Sequence, residues 1–488
     1  MVTTTTRYIA RHTPPRHFLR HLIGRSCAAV FLIAFVGFFV WKHFNANPID
    51  HLHYPAQSTA RIFERHLYFF EDFKQLSALE ERSYTFLFGS RNETLQEAAH
   101  AYSELLAYFD SVGHEEEEWN IRNTRVRLII VLAELGRWDQ FIAQLELLGD
   151  MPEEALLQNL LYYAYDQTED DIYMPEIHAA VRMLPTGWSK DYIRSRIFKR
   201  ASLKELDWAK GKLTTPATFI RHDMANTIIF LIGLMALSFI ALLTLRTNTH
   251  LRFAMTTSVQ EQLWPARQGI RLLLYAATLG VLVFYFTGFS SIILSQPWLM
   301  NFCLLFASVP MLLLAQYYLL SPRQHNIVSA FGMNIKPRQL MPFILTCLVV
   351  IGVERTGSYA IAWFVSIIDL NPHWAAGISE TWLWGKSEDI GFSSTNAIII
   401  APLVEEIGFR GLLFLSLRSR FDFKTAAVIS ATLFAIFHMD SLVGVMTAFW
   451  SGMVWAYALE RSRSLLPGIV SHIAANSMAV YMVLTFYN

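Results

Sequence analysis

Long apolar runs are the feature that most limits what this chain of 488 residues can fold into. A membrane-spanning helix needs about 20 mainly apolar residues, because each rises about 1.5 Å and the hydrocarbon core is roughly 30 Å thick. Three runs qualify without a single charge, at 224–245, 272–294 and 298–320. Six weaker or interrupted runs lie at 26–41, 340–368, 392–417, 425–439, 442–459 and 465–486. We therefore predict an all-α polytopic membrane helix bundle with about nine spans.

Charge placement predicts the orientation. Five arginines and no acidic residue precede the first apolar run, so the positive-inside rule keeps the N-terminus in the cytoplasm: Arg7, Arg11, Arg16, Arg20 and Arg25. A secretory signal peptide is the alternative, but no small-residue cleavage site follows the run, and Trp41-Lys42-His43 is typical of an anchor boundary. The predicted location is the bacterial inner (plasma) membrane, in several passes, with residues 43–222 extracytoplasmic.

Composition excludes other classes. Hydrophobic residues make up 53% of the chain and charged residues 16%, which is typical of a membrane protein and implies the lipid bilayer as a partner. Forty Lys and Arg balance forty Asp and Glu, so the basic excess of a nucleic-acid-binding protein is lacking. Three cysteines, all within apolar stretches, are too few for a disulfide framework: Cys27, Cys303 and Cys347.

Residues 43–222 form a predicted soluble insertion with helical periodicity, and they hold most of the acidic residues. The stretch 127–145 resembles the helix–turn–helix of a tetratricopeptide repeat, with Gly136 ending one helix and Ala143 permitting close packing; a generic helical domain is the alternative. Acidic clusters at Glu115–Glu118 and Glu169–Asp171 lack calcium-loop spacing and are interpreted as solvated segments. The insertion is a candidate site for a protein partner or substrate.

The predicted organisation has five parts. They are a basic cytoplasmic N-terminus (1–25), a membrane anchor (26–42), the soluble helical domain (43–222), membrane helices (223–330) and a C-terminal membrane core (331–488). The core concentrates ionisable residues inside apolar segments, where an unpartnered charge costs several kcal/mol. Such residues are functional candidates by default.

Three spans of the core each carry a polar face. Glu405 and Glu406 are adjacent in the sixth span, and Arg410 lies four residues after Glu406, so those two can pair on one helix face. The seventh span ends in Phe434-Ala-Ile-Phe-His438, and the ninth contains His472-Ile-Ala-Ala-Asn476. As alternatives, His438 is an interfacial histidine, and His472 with Asn476 joins helices by hydrogen bonds.

Together these motifs resemble those of the CPBP family of intramembrane proteases, also called ABI, which includes the type II CAAX prenyl endopeptidases. The resemblance covers roughly residues 330–488 and implies an intramembrane endopeptidase acting on a peptide or membrane-protein substrate. By analogy, Glu405 and His438 activate water, and His472 and Asn476 stabilise the tetrahedral intermediate. Glu406, held by Arg410, braces or assists the base, and Phe434 belongs to the middle motif. The family has been described as both metallo- and glutamate-type.

The cofactor is therefore none or Zn²⁺, with Glu405, His438 and His472 as candidate ligands; the absence of a compact H-E-x-x-H pair favours the metal-free mechanism. The G-x-S-G and G-x-G-D motifs of serine and aspartyl intramembrane proteases are also missing. Two other functions stay open: a catalytically silent family member acting in bacteriocin immunity or as a scaffold, and a proton-coupled transporter, which the lack of an internal repeat disfavours.

Two features complicate this interpretation. Straight helices would place His438 and His472 at different depths, so their meeting at Glu405 requires tilted, shortened or broken helices. Glu354 and Arg355 lie in the fifth span outside the motifs. They form a mutual ion pair, gate the cavity, or mark two half-spans meeting at Gly352 or Gly357.

Overall fold

The computed structural model describes residues 47–71, 76–112, 118–149, 151–165, 174–200, 206–254, 264–288, 297–368, 372–376, 379–438 and 441–487, with single residues at 26–41, 73 and 370. Every regular element among them is a helix, which confirms the all-α class. The chain divides into two compact units. The helical unit comprises 47–236, 371–390 and 477–488, and the membrane unit comprises 1–46, 237–370 and 391–476.

Eight helices make up most of the helical unit. Some begin with residues that favour helix starts: Ser77 and Glu80 form a capping box, and prolines open two helices. The helices are α1 (Pro55–Phe69), α2 (Ala78–Phe88), α3 (Arg91–Val112), α4 (Glu118–Glu134), α5 (Trp138–Glu146), α6 (Pro152–Tyr165), α7 (Met174–Met183) and α8 (Trp188–Arg200). Their apolar faces enclose one core, in which the large side chains of Tyr102 and Trp188 are buried.

The predicted helix–turn–helix is present at α4 and α5. Gly136 separates the two helices with φ of 69°, a left-handed conformation that glycine tolerates. The expectation for Ala143 is wrong, because this residue is exposed. Helix α5 instead buries Phe141 and Leu145, which are four residues apart and share a face, whereas Ala143 is turned about 200° from Phe141. The acidic residues Glu115–Glu117 and Glu169–Asp171 lie outside the described residues.

Two segments distant in sequence complete the helical unit. The Glu380 carboxylate accepts hydrogen bonds from the backbone N–H groups of residues 53 and 54, both at 2.9 Å, and from Ser58 Oγ at 2.7 Å. It therefore satisfies donors at the start of α1. From the same helix, Arg61 Nε donates to the carbonyl of residue 487 at 2.6 Å, and Arg65 Nε donates to that of Phe486 at 2.9 Å. The Phe486 side chain is buried in the core of this unit.

Further helices follow among the described residues, and most of them carry the apolar runs. They are α9 (Leu206–Thr247), α10 (Ala266–Gly288), α11 (Pro297–Leu314), α12 (Leu340–Ile367), α13 (Ser387–Thr395), α14 (Ala401–Glu405), α15 (Leu415–Arg418), α16 (Phe423–Ile436), α17 (Leu442–Ser462) and α18 (Leu466–Tyr487). Six stretches of the described residues are long and apolar enough to cross a membrane: Ala209–Thr247, Ala266–Val283, Leu305–Arg323, Pro337–Ile367, Leu442–Ser462 and Leu466–Tyr487. This is a polytopic membrane protein. Half of the first predicted span, eight of its sixteen residues, lies outside the described residues, so the count of nine stays a prediction.

The sixth predicted span is a continuous but irregularly wound helix. Two π-helical segments, Asn396–Ile400 and Glu406–Phe414, separate α13, α14 and α15. Local π geometry is found frequently at functional sites. The seventh span is short, since α16 ends at Ile436. These spans confirm the expected irregularity around the polar residues. By contrast, α12 runs without a break, so the interpretation of Glu354 as a junction of half-spans is wrong.

Candidate active site

Two adjacent carboxylates with different surroundings lie at the junction of α14 and the second π segment. Glu406 and Arg410 are completely buried, and Arg410 Nη1 lies 3.0 Å from Glu406 Oε1. This pair was predicted from the four-residue spacing and is confirmed. The side chain of Glu405 is 29% exposed, against 1% for Glu406. Glu405 is therefore the carboxylate that a substrate can reach, whereas Glu406 is held inside.

His472 of α18 connects the third motif to both carboxylates. Its Nδ1 lies 3.3 Å from Glu406 Oε1, and its Nε2 lies 3.7 Å from Glu405 Oε2. Its side chain is buried. Gly468, one turn earlier, allows this approach, because a Cβ there would lie 3.2 Å from Glu406 Oε2. One imidazole thus bridges the two adjacent carboxylates.

Aromatic rings enclose the charged groups. The Trp455 ring of α17 stacks on His472 with a centroid separation of 4.1 Å and an interplanar angle of 21°. The guanidinium carbon of Arg410 lies 4.2 Å from the Phe434 centroid and 5.0 Å from that of Trp455. Trp455 also donates from Nε1 to Ser471 Oγ at 3.1 Å. Cation–π contacts of this kind stabilise a desolvated arginine. Sequence reasoning missed Trp455, since a tryptophan in an apolar span carries no distinguishing signal.

His438 lies two residues beyond the end of α16. Its Nδ1 is 3.0 Å from the carbonyl oxygen of Phe434, and its ring centroid is 4.5 Å from that of Phe434. The same phenyl ring also contacts His472, with a centroid separation of 5.9 Å. Because α16 ends at Ile436, His438 of the second motif lies against the Phe434 ring, and this ring also contacts His472 of the third motif. Both predicted histidines therefore contact Phe434.

Asn476 contacts the helix of the sixth span. Its Nδ2 donates to the carbonyl oxygen of Ala397 at 2.7 Å. In a π-helical segment this carbonyl would accept from the residue five positions on, which is Pro402 and has no N–H. The Asn476 amide therefore supplies the donor that proline removes. This bond ties α18 to the helix that carries Glu405.

Glu405, Glu406, Arg410 and His472 form a cluster, and several of its polar atoms form no hydrogen bond with protein groups. They are Glu405 Oε2, both carboxylate oxygens of Glu406, the three guanidinium nitrogens of Arg410 and His472 Nδ1. The contacts at 3.0 and 3.3 Å are ion-pair distances, but their angles depart from those of a hydrogen bond. Buried polar groups are usually satisfied, and clustered exceptions call for a functional explanation. This cluster retains unused hydrogen-bonding capacity around a reachable carboxylate.

The candidate zinc ligands were Glu405, His438 and His472. Among the residues that the structure describes, no three His, Cys, Asp or Glu side chains lie where they would share one metal ion. Glu405 and His472 are close, at 3.7 Å, but His438 does not complete a set of three with them. The side-chain arrangement does not fit a zinc centre of three protein ligands.

Comparisons with known proteins match this part of the chain. Residues 390–478, which contain all three motifs, match the family model described as Type II CAAX prenyl endopeptidase Rce1-like. The chain is also similar to the "Putative membrane peptidase YdiL" of Bacillus subtilis (strain 168), with 31% identity over 86 residues. That match covers 18% of this chain and 35% of the relative, so the chain spans about a third of that protein's length. No solved structure gives a significant match.

Proposed function

We propose that this chain, whose residues 390–478 are of the CPBP (type II CAAX prenyl endopeptidase) family, is an intramembrane endopeptidase. It would hydrolyse a peptide bond in a membrane-anchored or exported substrate. One observation carries the proposal: a reachable carboxylate, Glu405, lies 3.7 Å from a buried imidazole, His472, which also contacts the Glu406–Arg410 pair. A pair of adjacent carboxylates is expensive to keep in an apolar segment without a task.

In this mechanism Glu405 is the general base. It removes a proton from a water molecule, whose oxygen attacks the carbonyl carbon of the scissile bond. When the tetrahedral intermediate collapses, the C–N bond breaks and Glu405 returns the proton to the leaving amine. His438 would help to hold the water, and the buried Phe434 ring, 4.5 Å from the His438 ring, would support this imidazole. No step requires a metal ion.

His472 serves two purposes in the proposal. Its contact with Glu405 orients the base, and an N–H of its imidazole stabilises the negative charge that develops on the carbonyl oxygen of the scissile bond. Glu406 and Arg410 fix the imidazole from the other side. Asn476, which bonds to Ala397, holds α18 in register with the helix of the sixth span and so acts on the positions of both His472 and Glu405.

The substrate would be reached from the outer face. In the predicted topology residues 43–222, the loop after the fifth span and the C-terminus all lie outside. The compact helical unit contains these same regions, at 47–236, 371–390 and 477–488, which supports that orientation. An extracytoplasmic unit fits an exported or membrane-anchored substrate better than a prenylated cytoplasmic tail. The tetratricopeptide-like hairpin at α4 and α5 would recruit that substrate or a protein partner.

The test compares cleavage by wild-type and variant protein. Purified protein is incubated with the membrane proteome of a strain that lacks it, and new peptide termini are identified by mass spectrometry. Wild type should generate termini that Glu405→Gln does not. The matched control is Glu460→Gln, which removes another carboxylate of the membrane unit. Glu460 pairs with Arg418 at a distance of 2.8 Å, and this pair does not belong to the cluster around Glu405. Identical patterns for wild type and Glu405→Gln would remove the proposal, and metal analysis of the same samples decides the cofactor.

A further inference from the structure

A second buried carboxylate of the membrane unit lies outside the three motifs. Glu354 of α12 is completely buried and forms an ion pair with Arg355 through both of its oxygens. Its Oε1 also accepts hydrogen bonds from Ser358 Oγ at 3.0 Å and Ser451 Oγ at 2.6 Å. Ser358 is on the same helix, whereas Ser451 is on α17. One carboxylate oxygen therefore joins two membrane helices.

A second bond joins the same helices next to the first. Trp450 Nε1 donates to the backbone carbonyl of Glu354 at 3.1 Å. Gly357 makes room for this indole, since a Cβ there would lie 2.1 Å from Trp450 Nε1. Consecutive residues on a helix point about 100° apart. Trp450 and Ser451 are consecutive residues of α17, and both form hydrogen bonds to α12. Together they therefore determine the rotation of α17 about its axis.

The residues that follow on α17 face the candidate active site. A Cβ at Gly452 would lie 3.0 Å from Arg410 Nη2 and 2.8 Å from the Cβ of Ala431, so the helix backbone packs directly on the guanidinium. Trp455, one turn further, stacks on His472 and lies over Arg410. The rotation of α17 thus determines where both of these contacts fall.

We infer that Glu354 is a positioning residue for the active site, acting through Ser451 and the rotation of α17 to hold Gly452 and Trp455 against Arg410 and His472. The inference rests on the proposed function for its effect on turnover. A mutual ion pair with Arg355 would satisfy the charge of Glu354 without any contact to α17, so the Ser451 bond is a separate feature. The two serine bonds to Glu354 Oε1 therefore differ in effect. Only the bond from Ser451 joins two helices, so only this bond fixes the position of α17.

The test compares Ser451→Ala with Ser358→Ala, each of which removes one hydroxyl donor from Glu354 Oε1. The substrate probe is a fluorogenic peptide built on a cleavage site that wild type cuts and Glu405→Gln does not. Ser451→Ala should lower kcat about tenfold with KM nearly unchanged, because a displaced catalytic group slows chemistry more than binding. Ser358→Ala should stay within about twofold of wild type, although the two variants lose similar thermal stability, since each loses one hydrogen bond.

A second readout needs no activity. In a protein whose native cysteines are replaced, Glu405→Cys is labelled with N-ethylmaleimide, and the rate is measured with and without each serine variant. Ser451→Ala should change the labelling rate several-fold and Ser358→Ala should not. Equal effects of the two variants, or no effect of Ser451→Ala on either readout, would overturn the inference. If wild type cleaves no peptide, the proposed function fails, and labelling alone decides whether Glu354 positions the cluster.

Discussion

Among the described residues of the membrane unit, two glutamate–arginine pairs with buried carboxylates differ in how well their polar groups are satisfied by hydrogen bonds. In the first, Glu354 receives Arg355 on both oxygens and two serine hydroxyls on one of them. In the second, Glu406 lies 3.0 Å from Arg410, yet neither of its oxygens accepts a hydrogen bond from a protein group. Both carboxylates are completely buried.

The difference shows how one residue pair can serve two purposes. Saturated hydrogen bonding in a low-dielectric region stabilises one arrangement and resists change, which suits a joint between helices. An unsaturated pair keeps donors and acceptors free for groups whose charge develops during a reaction, which suits an active site. The two carboxylates are equally buried, so burial does not distinguish the pairs. They differ in the hydrogen bonds that each carboxylate accepts.

The largest expected effect concerns the reachable carboxylate beside the unsaturated pair. Glu405→Gln keeps the volume of the side chain but cannot accept a proton, so we expect kcat/KM to fall by about a thousandfold. The melting temperature should change little, because Glu405 is partly exposed. Cleavage of the fluorogenic peptide measures kcat/KM, and thermal unfolding in detergent measures the melting temperature. A Glu405→Gln protein with more than a tenth of wild-type activity would contradict the assignment of the base.

The next effect compares removal of the two arginines. Arg410→Met leaves Glu406 buried without a cation, which should lower the free energy of unfolding by roughly 3–5 kcal/mol. Arg355→Met should cost less, about 1–3 kcal/mol, because Ser358 and Ser451 still donate to Glu354. Denaturant titration in detergent gives both values. A larger loss for Arg355→Met would mean that the serines do not satisfy Glu354.

A third effect concerns space beside Arg410. Gly452→Ala adds a methyl group 3.0 Å from Arg410 Nη2 and 2.8 Å from the Cβ of Ala431, so α17 must move outward. Activity should fall about tenfold as the cluster shifts, in line with the sensitivity of catalysis to displacements of about 1 Å. The control is Gly391→Ala, since a Cβ at Gly391 meets nothing within 4 Å. Equal activities of the two variants would show that the Arg410 contact tolerates movement.

The smallest expected effect comes from a third carboxylate, in the helical unit. Burial acts to raise the pKa of Glu104, but hydrogen bonds from His373 and Trp374 outweigh it and lower this pKa below its ordinary value. The stabilisation is therefore present above the ordinary carboxylate pKa and disappears as pH falls through the lowered one. Melting temperatures of wild type and Glu104→Gln should differ slightly near pH 6 and converge as the pH falls below the ordinary carboxylate range. A difference that grows in acid would reverse the assigned direction.

Much of the fold was predictable because each element has a local signal. Apolar runs predicted the helices α9, α12, α17 and α18 to within a few residues at most ends, although α9 begins at Leu206, well before its apolar run. The four-residue spacing predicted the Glu406–Arg410 pair. Trp455, Ser451 and Gly452 were not found, since their importance depends on contacts with residues far away in the chain.

By itself, the amino-acid sequence determined that this chain is a polytopic helical membrane protein and that Glu405, Glu406, His438 and His472 are its chemical candidates. Both conclusions follow from the free energy of placing residues in lipid, which depends on residue type and local spacing. The tertiary structure decided which carboxylate is reachable, that His472 bridges the two, and that Glu354 joins α12 to α17. These depend on the π-helical segments and the rotation of neighbouring helices, which packing between distant segments determines.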